Sequence, residues 1–189
     1  MITLYTDGSC RGNPGPGGWA LIRLDTYNDK LIMRPPHFGI KKLTTNNEME
    51  LRAVLEAAEM AKQDPDLNHY ACFCDSAYVV NTCNEWMIKW AMNGWRRSKN
   101  QPIENLSIIK ELYNRFTLPF FNLSLEKIKG HNGHIGNELA DAFATNDKNK
   151  VLAIAKSNAN LYYNDKSISL YEYLQHNDLT NKKNYDIIY

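Results

Sequence analysis

Hydrophobic and polar positions divide most of this chain into strand-like and helix-like stretches. Residues 2–6 read as a short strand, followed by a glycine- and proline-rich loop over 8–18. Residues 19–24 predict a second strand, 27–30 a turn, and Leu31 opens a third strand that completes a meander. Pro35 and Pro36 argue against a regular central position there, because proline donates nothing to a ladder. Over 46–63 the period becomes helical: Glu48, Arg52, Glu56, Glu59 and Gln63 form one polar stripe, opposite Val54, Ala57 and Ala61. Asp64-Pro65 ends that helix. Residues 70–74 are continuously apolar, as a buried central strand requires. One or two short helices over 76–92, broken near Gly94, precede an amphipathic helix over 103–116. A strand over 123–128, a His- and Gly-rich loop over 130–136 and a helix over 137–148 follow. Three strands, a helix, a strand, helices, a strand and a helix predict an α/β chain, with a mixed sheet and helices on both faces.

The last 41 residues differ in character, with seven asparagines between Asn149 and Asn184. Residues 151–155 could continue a helix, 161–168 could form a small hairpin turning at Asn164-Asp165, and 169–176 one more short helix. Residues 177–189 are expected to be loose.

Composition changes this picture little. A chain of 189 residues with 23% charged residues and a net charge of +1 is neither a globally basic coat protein nor a disordered chain. It is long enough to bury a core without disulfides or structural metal. No stretch approaches 18 apolar residues and no basic segment leads into an apolar run at the start, so no membrane association and a cytoplasmic location are expected. Cys10, Cys72, Cys74 and Cys83 make no C-x-x-C pair, and are read as reduced thiols rather than zinc ligands.

A few polar residues fit a purely structural role poorly. Glu50 projects on the apolar side of its helix, where a carboxylate must be paired, neutralised or metal-bound, unless it only serves the positive helix end. Asp7 and Asp75 each close an apolar strand, where open α/β sheets place ligands; a turn and a helix cap are the plain alternatives. Asp141 shares a stripe with Thr145 and Lys148, as a solvated helix face would. His131 and His134 flank Asn132-Gly133 in a loop, where a histidine could move protons near neutral pH. Residues 8–18 lack the Gly-Lys-Ser/Thr ending of a nucleotide-hydrolysing P-loop. Trp86, Trp90 and Trp95 interleave with Lys89, Arg96, Arg97 and Lys99, a pattern suited to stacking and phosphate neutralisation, although at least one tryptophan is expected to be core.

Taken together, the segments Tyr5-Thr6-Asp7-Gly8-Ser9-Cys10 with 12–18, Thr44-Thr45-Asn46-Asn47-Glu48-Met49-Glu50-Leu51, Asp75-Ser76-Ala77-Tyr78-Val79, Lys129-Gly130-His131-Asn132-Gly133-His134 and Gly136-Asn137-Glu138-Leu139-Ala140-Asp141 closely resemble the ribonuclease HI family. Five such motifs in order are a specific signal, covering residues 1–148. The resemblance implies a ribonuclease H-like fold with a five-stranded mixed sheet in a catalytic domain over 1–148, and leaves 149–189 as an extension of unknown role. It implies an endoribonuclease that hydrolyses the RNA strand of RNA–DNA hybrids, leaving 5′-phosphate and 3′-hydroxyl ends. Asp7, Glu50, Asp75 and Asp141 would bind two Mg²⁺ ions, for which Mn²⁺ could substitute, and His131 would assist proton transfer or product release.

Substrate contacts follow in the same way. Cys10, Asn13, Thr45, Asn46 and Asn47 would meet the hybrid's minor groove, and Trp86, Lys89, Trp90, Trp95, Arg96, Arg97 and Lys99 would form the basic protrusion that holds the DNA strand. Ala77 stands where many relatives carry a glutamine, Lys89 where an asparagine is usual, and Ala91-Met92-Asn93 dilute the protrusion, so weaker hybrid binding is expected. A monomer suffices for this chemistry. A non-catalytic hybrid-binding module, or another metal-dependent nuclease on the same fold, is the alternative to be tested.

Overall fold

Strand β2 (Gly15–Tyr27), thirteen residues long, is the spine of the sheet. The structure is a computed structural model, and it describes residues 1–64, 66, 68–130, 132–181 and the backbone of 186–187. On one edge β2 pairs antiparallel with β1 (Ile2–Cys10). Its other edge carries two strands end to end: β4 (His37–Thr44) beside its first half and β3 (Lys30–Met33) beside its second. The two prolines separate β3 from β4, so the single third strand expected from the pattern is two. The loop expected over 8–18 is also shorter, because β1 runs on to Cys10 and β2 starts at Gly15.

Helix α1 (Asn46–Lys62) follows, capped by the Thr45 side chain, and leads to β5 (Tyr70–Cys74), which pairs parallel with β1. Then come α2 (Ala77–Asn81), a π-helical turn over Thr82–Trp86, α3 (Met87–Met92), α4 (Leu106–Phe116) and β6 (Leu123–Lys127), which is parallel to β5. Helices α5 (Ile135–Ala144) and α6 (Lys148–Ser157), strand β7 (Leu161–Tyr163), helix α7 (Leu170–His176) and strand β8 (Asp186–Ile187) complete the order. The sheet has eight strands among the described residues, not five: the third strand is split, and β7 and β8 add parallel to β3 and β4.

Alternation along β2 divides the core in two. Trp19 and Leu21 face α1, α2 and α4 on one side, while Ala20, Ile22 and Leu24 face α5, α6 and α7 on the other. The α1 stripe behaves as its spacing predicts: Val54, Ala57 and Ala61 are buried, and Arg115 on α4 pairs with Glu59. Residues 149–181 are largely folded, with Leu179 and Thr180 buried where a loose tail was expected, while 182–185, 188 and 189 of that expectation lie outside the described residues. Val151, Ile154, Ala155, Leu161, Leu170 and Leu179 are buried in the second core cluster, and the turn after β7 forms the expected small hairpin through a Tyr162–Ser169 bridge.

Candidate active site

Three elements meet where β5 parts from β1. The parallel ladder ends with Thr6 opposite Cys74, so Asp7 and Asp75 are the next residues on neighbouring strands. Asp7 does not close its strand as the pattern suggested; β1 continues beside β2 alone, with Asp7 opposite Ala20. Its Oδ1 accepts from the Gly8 amide at 2.8 Å. Helix α1 packs onto this point because Gly8 has no side chain: a Cβ there would lie 2.1 Å from the Glu50 amide nitrogen. Glu50 is thereby held over Asp7, buried at 7% exposure, and accepts from Asn46 Nδ2 at 3.3 Å and from the Cys74 thiol at 3.8 Å.

The cap alternative for Asp75 fails, because Ser76 caps α2 by accepting from the Val79 amide. Asp75 instead accepts from Asn137 Nδ2 at 3.3 Å. Asn137 is buried and its Oδ1 has no partner among the described residues, so its amide group is turned toward Asp75. In the sequence Asn137 is only one position of the 136–141 motif; its burial in the first turn of α5 is what singles it out.

Asp7, Glu50 and Asp75 each offer a carboxylate oxygen, and these oxygens lie within 4.8 Å of one another. Burial, then the charges of Glu50, Asp75 and Asp141, push Asp7 up to about 9, while burial and Asp75 push Glu50 up to about 7. Clustered hard oxygen donors that repel one another are the donor set a divalent cation satisfies, so the residues present fit such an ion. Asp141 lies near enough to raise Asp7 but outside the three-carboxylate cluster, and its Oδ2 is ion-paired with Lys150 of α6. His131 lies outside the described residues. His134 is exposed and precedes α5.

The expected groove residues gather beside this cluster. Asn13 Oδ1 accepts from the Asn46 amide at 3.1 Å, tying the first loop to the start of α1, where Thr45, Asn46 and Asn47 sit half-buried. Cys10 closes the group, its thiol donating to the Thr44 carbonyl at 3.2 Å. In the basic segment, Trp86 and Trp90 face each other at 5.9 Å between ring centroids. Trp90 and Trp95 pack against the core, Trp95 meeting Tyr113 edge-on at 5.3 Å. Trp86, Trp90 and Arg97 line one open groove, and Lys89, Arg96 and Lys99 of the same segment are exposed. Lys89 is paired with Glu85 at 3.4 Å, which reduces the charge it offers.

The RNase H family model matches residues 1–149. The ribonuclease H of Polynucleobacter asymbioticus is 41% identical over 143 residues, covering 76% of this chain and 86% of that protein. That of Orientia tsutsugamushi is 37% identical over 159 residues, covering 84% and 89%. Among solved structures, LC9-RNase H1, a type 1 RNase H with the type 2 active-site motif, superposes with a TM-score of 0.67 at 25% identity, covering 99% of this chain and 86% of that one. The chain belongs to the ribonuclease H family.

Proposed function

We infer that this chain is a metal-dependent ribonuclease H, hydrolysing the RNA strand of RNA–DNA hybrids by endonucleolytic cuts that leave 5′-phosphate and 3′-hydroxyl ends. The observation that carries the reading is the convergence of Asp7, Glu50 and Asp75, two of them buried and pushed up, in a chain of this family. Asp7, Glu50, Asp75 and Asp141 would hold two Mg²⁺ ions, with Mn²⁺ able to substitute. When bound, such ions activate water and stabilise charge on the phosphodiester.

The chain's own residues supply the rest. Asn46 and Cys74 fix the Glu50 carboxylate, and Asn137 fixes that of Asp75, so neither must reorganise when an ion arrives. Cys10, Asn13, Thr45, Asn46 and Asn47 present polar groups beside the cluster, suited to the 2′-hydroxyls that distinguish RNA from DNA. The groove of Trp86, Trp90 and Arg97, with Arg96 and Lys99, suits the backbone of the DNA strand through stacking and phosphate neutralisation. Such contacts carry little base information, so cleavage should depend weakly on sequence. His131 is proposed, on the family resemblance, to assist proton transfer or product release.

One chain carries all of these groups, which supports a monomer. Four free cysteines, three of them buried, suit a reducing cytoplasm, and no helix among the described residues is long and apolar enough to cross a membrane. The test is cleavage of end-labelled RNA paired with DNA, paired with RNA, and alone, each with Mg²⁺, Mn²⁺ or EDTA. Metal-dependent cutting of the RNA–DNA hybrid alone is expected. Hybrid binding without cutting under either metal would instead indicate a non-catalytic module.

A further inference from the structure

One side chain of the C-terminal extension reaches the carboxylate site. The start of α6 is fixed against α5, because the Asp147 amide donates to the Ala142 carbonyl at 2.8 Å, and the Asp147 carboxylate caps α6 by accepting from the Lys150 amide at 3.0 Å. Val151, Ile154 and Ala155 bury the same helix in the second core cluster. Lys150 is thus presented by a rigid element, its ammonium donating to Asp141 Oδ2, with 31% and 22% of the two side chains exposed. No ion pair among the described residues reaches Asp7, Glu50 or Asp75. Among the described residues, Asp141 is therefore the one carboxylate of the four whose charge is already answered by an ion pair.

We propose that Lys150 is a positioning residue that competes with cations for Asp141, so that the extension sets how tightly the ion using Asp141 is bound. The inference rests on the reading that these four carboxylates hold divalent ions. A cation recruited by Asp7, Glu50 and Asp75 meets no such competitor, whereas one that needs Asp141 must displace or share with a tethered ammonium. The two ions are then unequal in affinity, and the inequality is written in residues beyond the matched family segment. A half-buried pair of this kind is screened by salt less than an exposed one, so the competition should weaken only modestly as ionic strength rises.

The experiment is a titration of the full-length protein with Mn²⁺ and with Mg²⁺, without nucleic acid, by calorimetry and by metal-dependent shift of the melting temperature. Wild type, Lys150→Met, Lys150→Gln, Lys150→Arg and Asp7→Asn are compared. Lys150→Met and Lys150→Gln should tighten the weaker ion roughly threefold to tenfold and leave the stronger ion unchanged, with the gain shrinking in added KCl. Lys150→Arg should restore weak binding, which loss of a merely structural contact would not predict. Unchanged or weakened affinity in both neutral variants overturns the proposal. Wild-type binding that survives Asp7→Asn intact overturns the underlying metal assignment instead.

Discussion

Asp7→Asn exchanges a carboxylate for an amide of the same shape at the most strongly repelled position in the site. Asp7 is 8% exposed and is pushed up to about 9 from an ordinary 3.8. In metal-free protein at neutral pH the folded state therefore keeps a proton that the unfolded chain has released. The folded state binds more protons, so this group's contribution to stability is complete below the ordinary carboxylate range and is lost as pH rises toward about 9. Glu50, pushed up to about 7, adds to the loss over the lower part of that window. Linkage limits each group to about 1.4 kcal/mol per pH unit, so the combined loss between pH 5 and 9 is bounded at roughly 7 kcal/mol, about two thirds of it from Asp7. The asparagine removes Asp7's share. In EDTA at pH 9 the variant should be roughly 1–3 kcal/mol more stable than wild type, with the difference closing toward pH 4. Urea unfolding in EDTA at pH 5, 7 and 9 measures this, alongside hybrid cleavage and hybrid binding. Turnover should vanish while binding persists. A wild-type stability that stays flat with pH, or a variant less stable at pH 9, would refute the crowded-carboxylate argument, and near-normal cleavage would refute the metal assignment.

Replacing Arg96, Arg97 and Lys99 together with alanine should raise KM, leave kcat nearly unchanged, and reduce the log–log salt slope of hybrid binding by up to about 3 units; an unchanged KM removes the groove from the substrate path. Gly8→Ala must push α1 off β1, because its Cβ would lie 2.1 Å from the Glu50 nitrogen and 2.3 Å from the Met49 carbonyl carbon. A displacement near 1 Å at Glu50 should cost about a hundredfold in kcat, which steady-state kinetics on a folded variant would detect. Truncation after Lys148 removes Val151, Ile154, Leu161 and Leu170, each worth roughly 1.5–3 kcal/mol of burial. The shortened chain should melt lower and bind a hydrophobic dye; where it stays folded it should still cut hybrid, and an unchanged melting temperature would show that the extension is dispensable to the core.

The strands and helices that carry the carboxylates were legible because their periodicities are local. The α1 stripe and the continuous apolar run of β5 gave both elements, and the element order gave the mixed sheet. Two features needed tertiary information. Nothing in the pattern over 31–44 shows that both halves of the broken third strand return to the same edge of β2, because that depends on the length of β2 and not on their own sequence. Lys150 is an unremarkable lysine on the first turn of a short helix; its meeting with Asp141 depends on the contact of the Asp147 amide with the Ala142 carbonyl that joins α6 to α5. Asp141 illustrates the same limit. Its stripe with Thr145 and Lys148 reads as an ordinary solvated face, and only the family motif marked it out.

The placement of charge explains why this site must be built from several elements. A carboxylate on the apolar side of α1 is tolerable only if something compensates it, and the chain supplies no cation within reach of Glu50, Asp7 or Asp75 among its described residues. Their repulsion is held in place by packed contacts: Asp7 and Asp75 directly follow the last paired residues of the β1–β5 ladder, and the close approach at Gly8 holds Glu50 against them. Free of metal, Asp7 and Glu50 keep protons they would otherwise lose, so taking up a divalent ion should release protons and should tighten as pH rises. Asp141, compensated by Lys150, has a much weaker demand for an external cation. On the proposed assignment, the sheet concentrates unpaired charge into one strong cation site while Lys150 moderates its neighbour by pairing it, and the two affinities become separately adjustable by substitutions on opposite sides of residue 148.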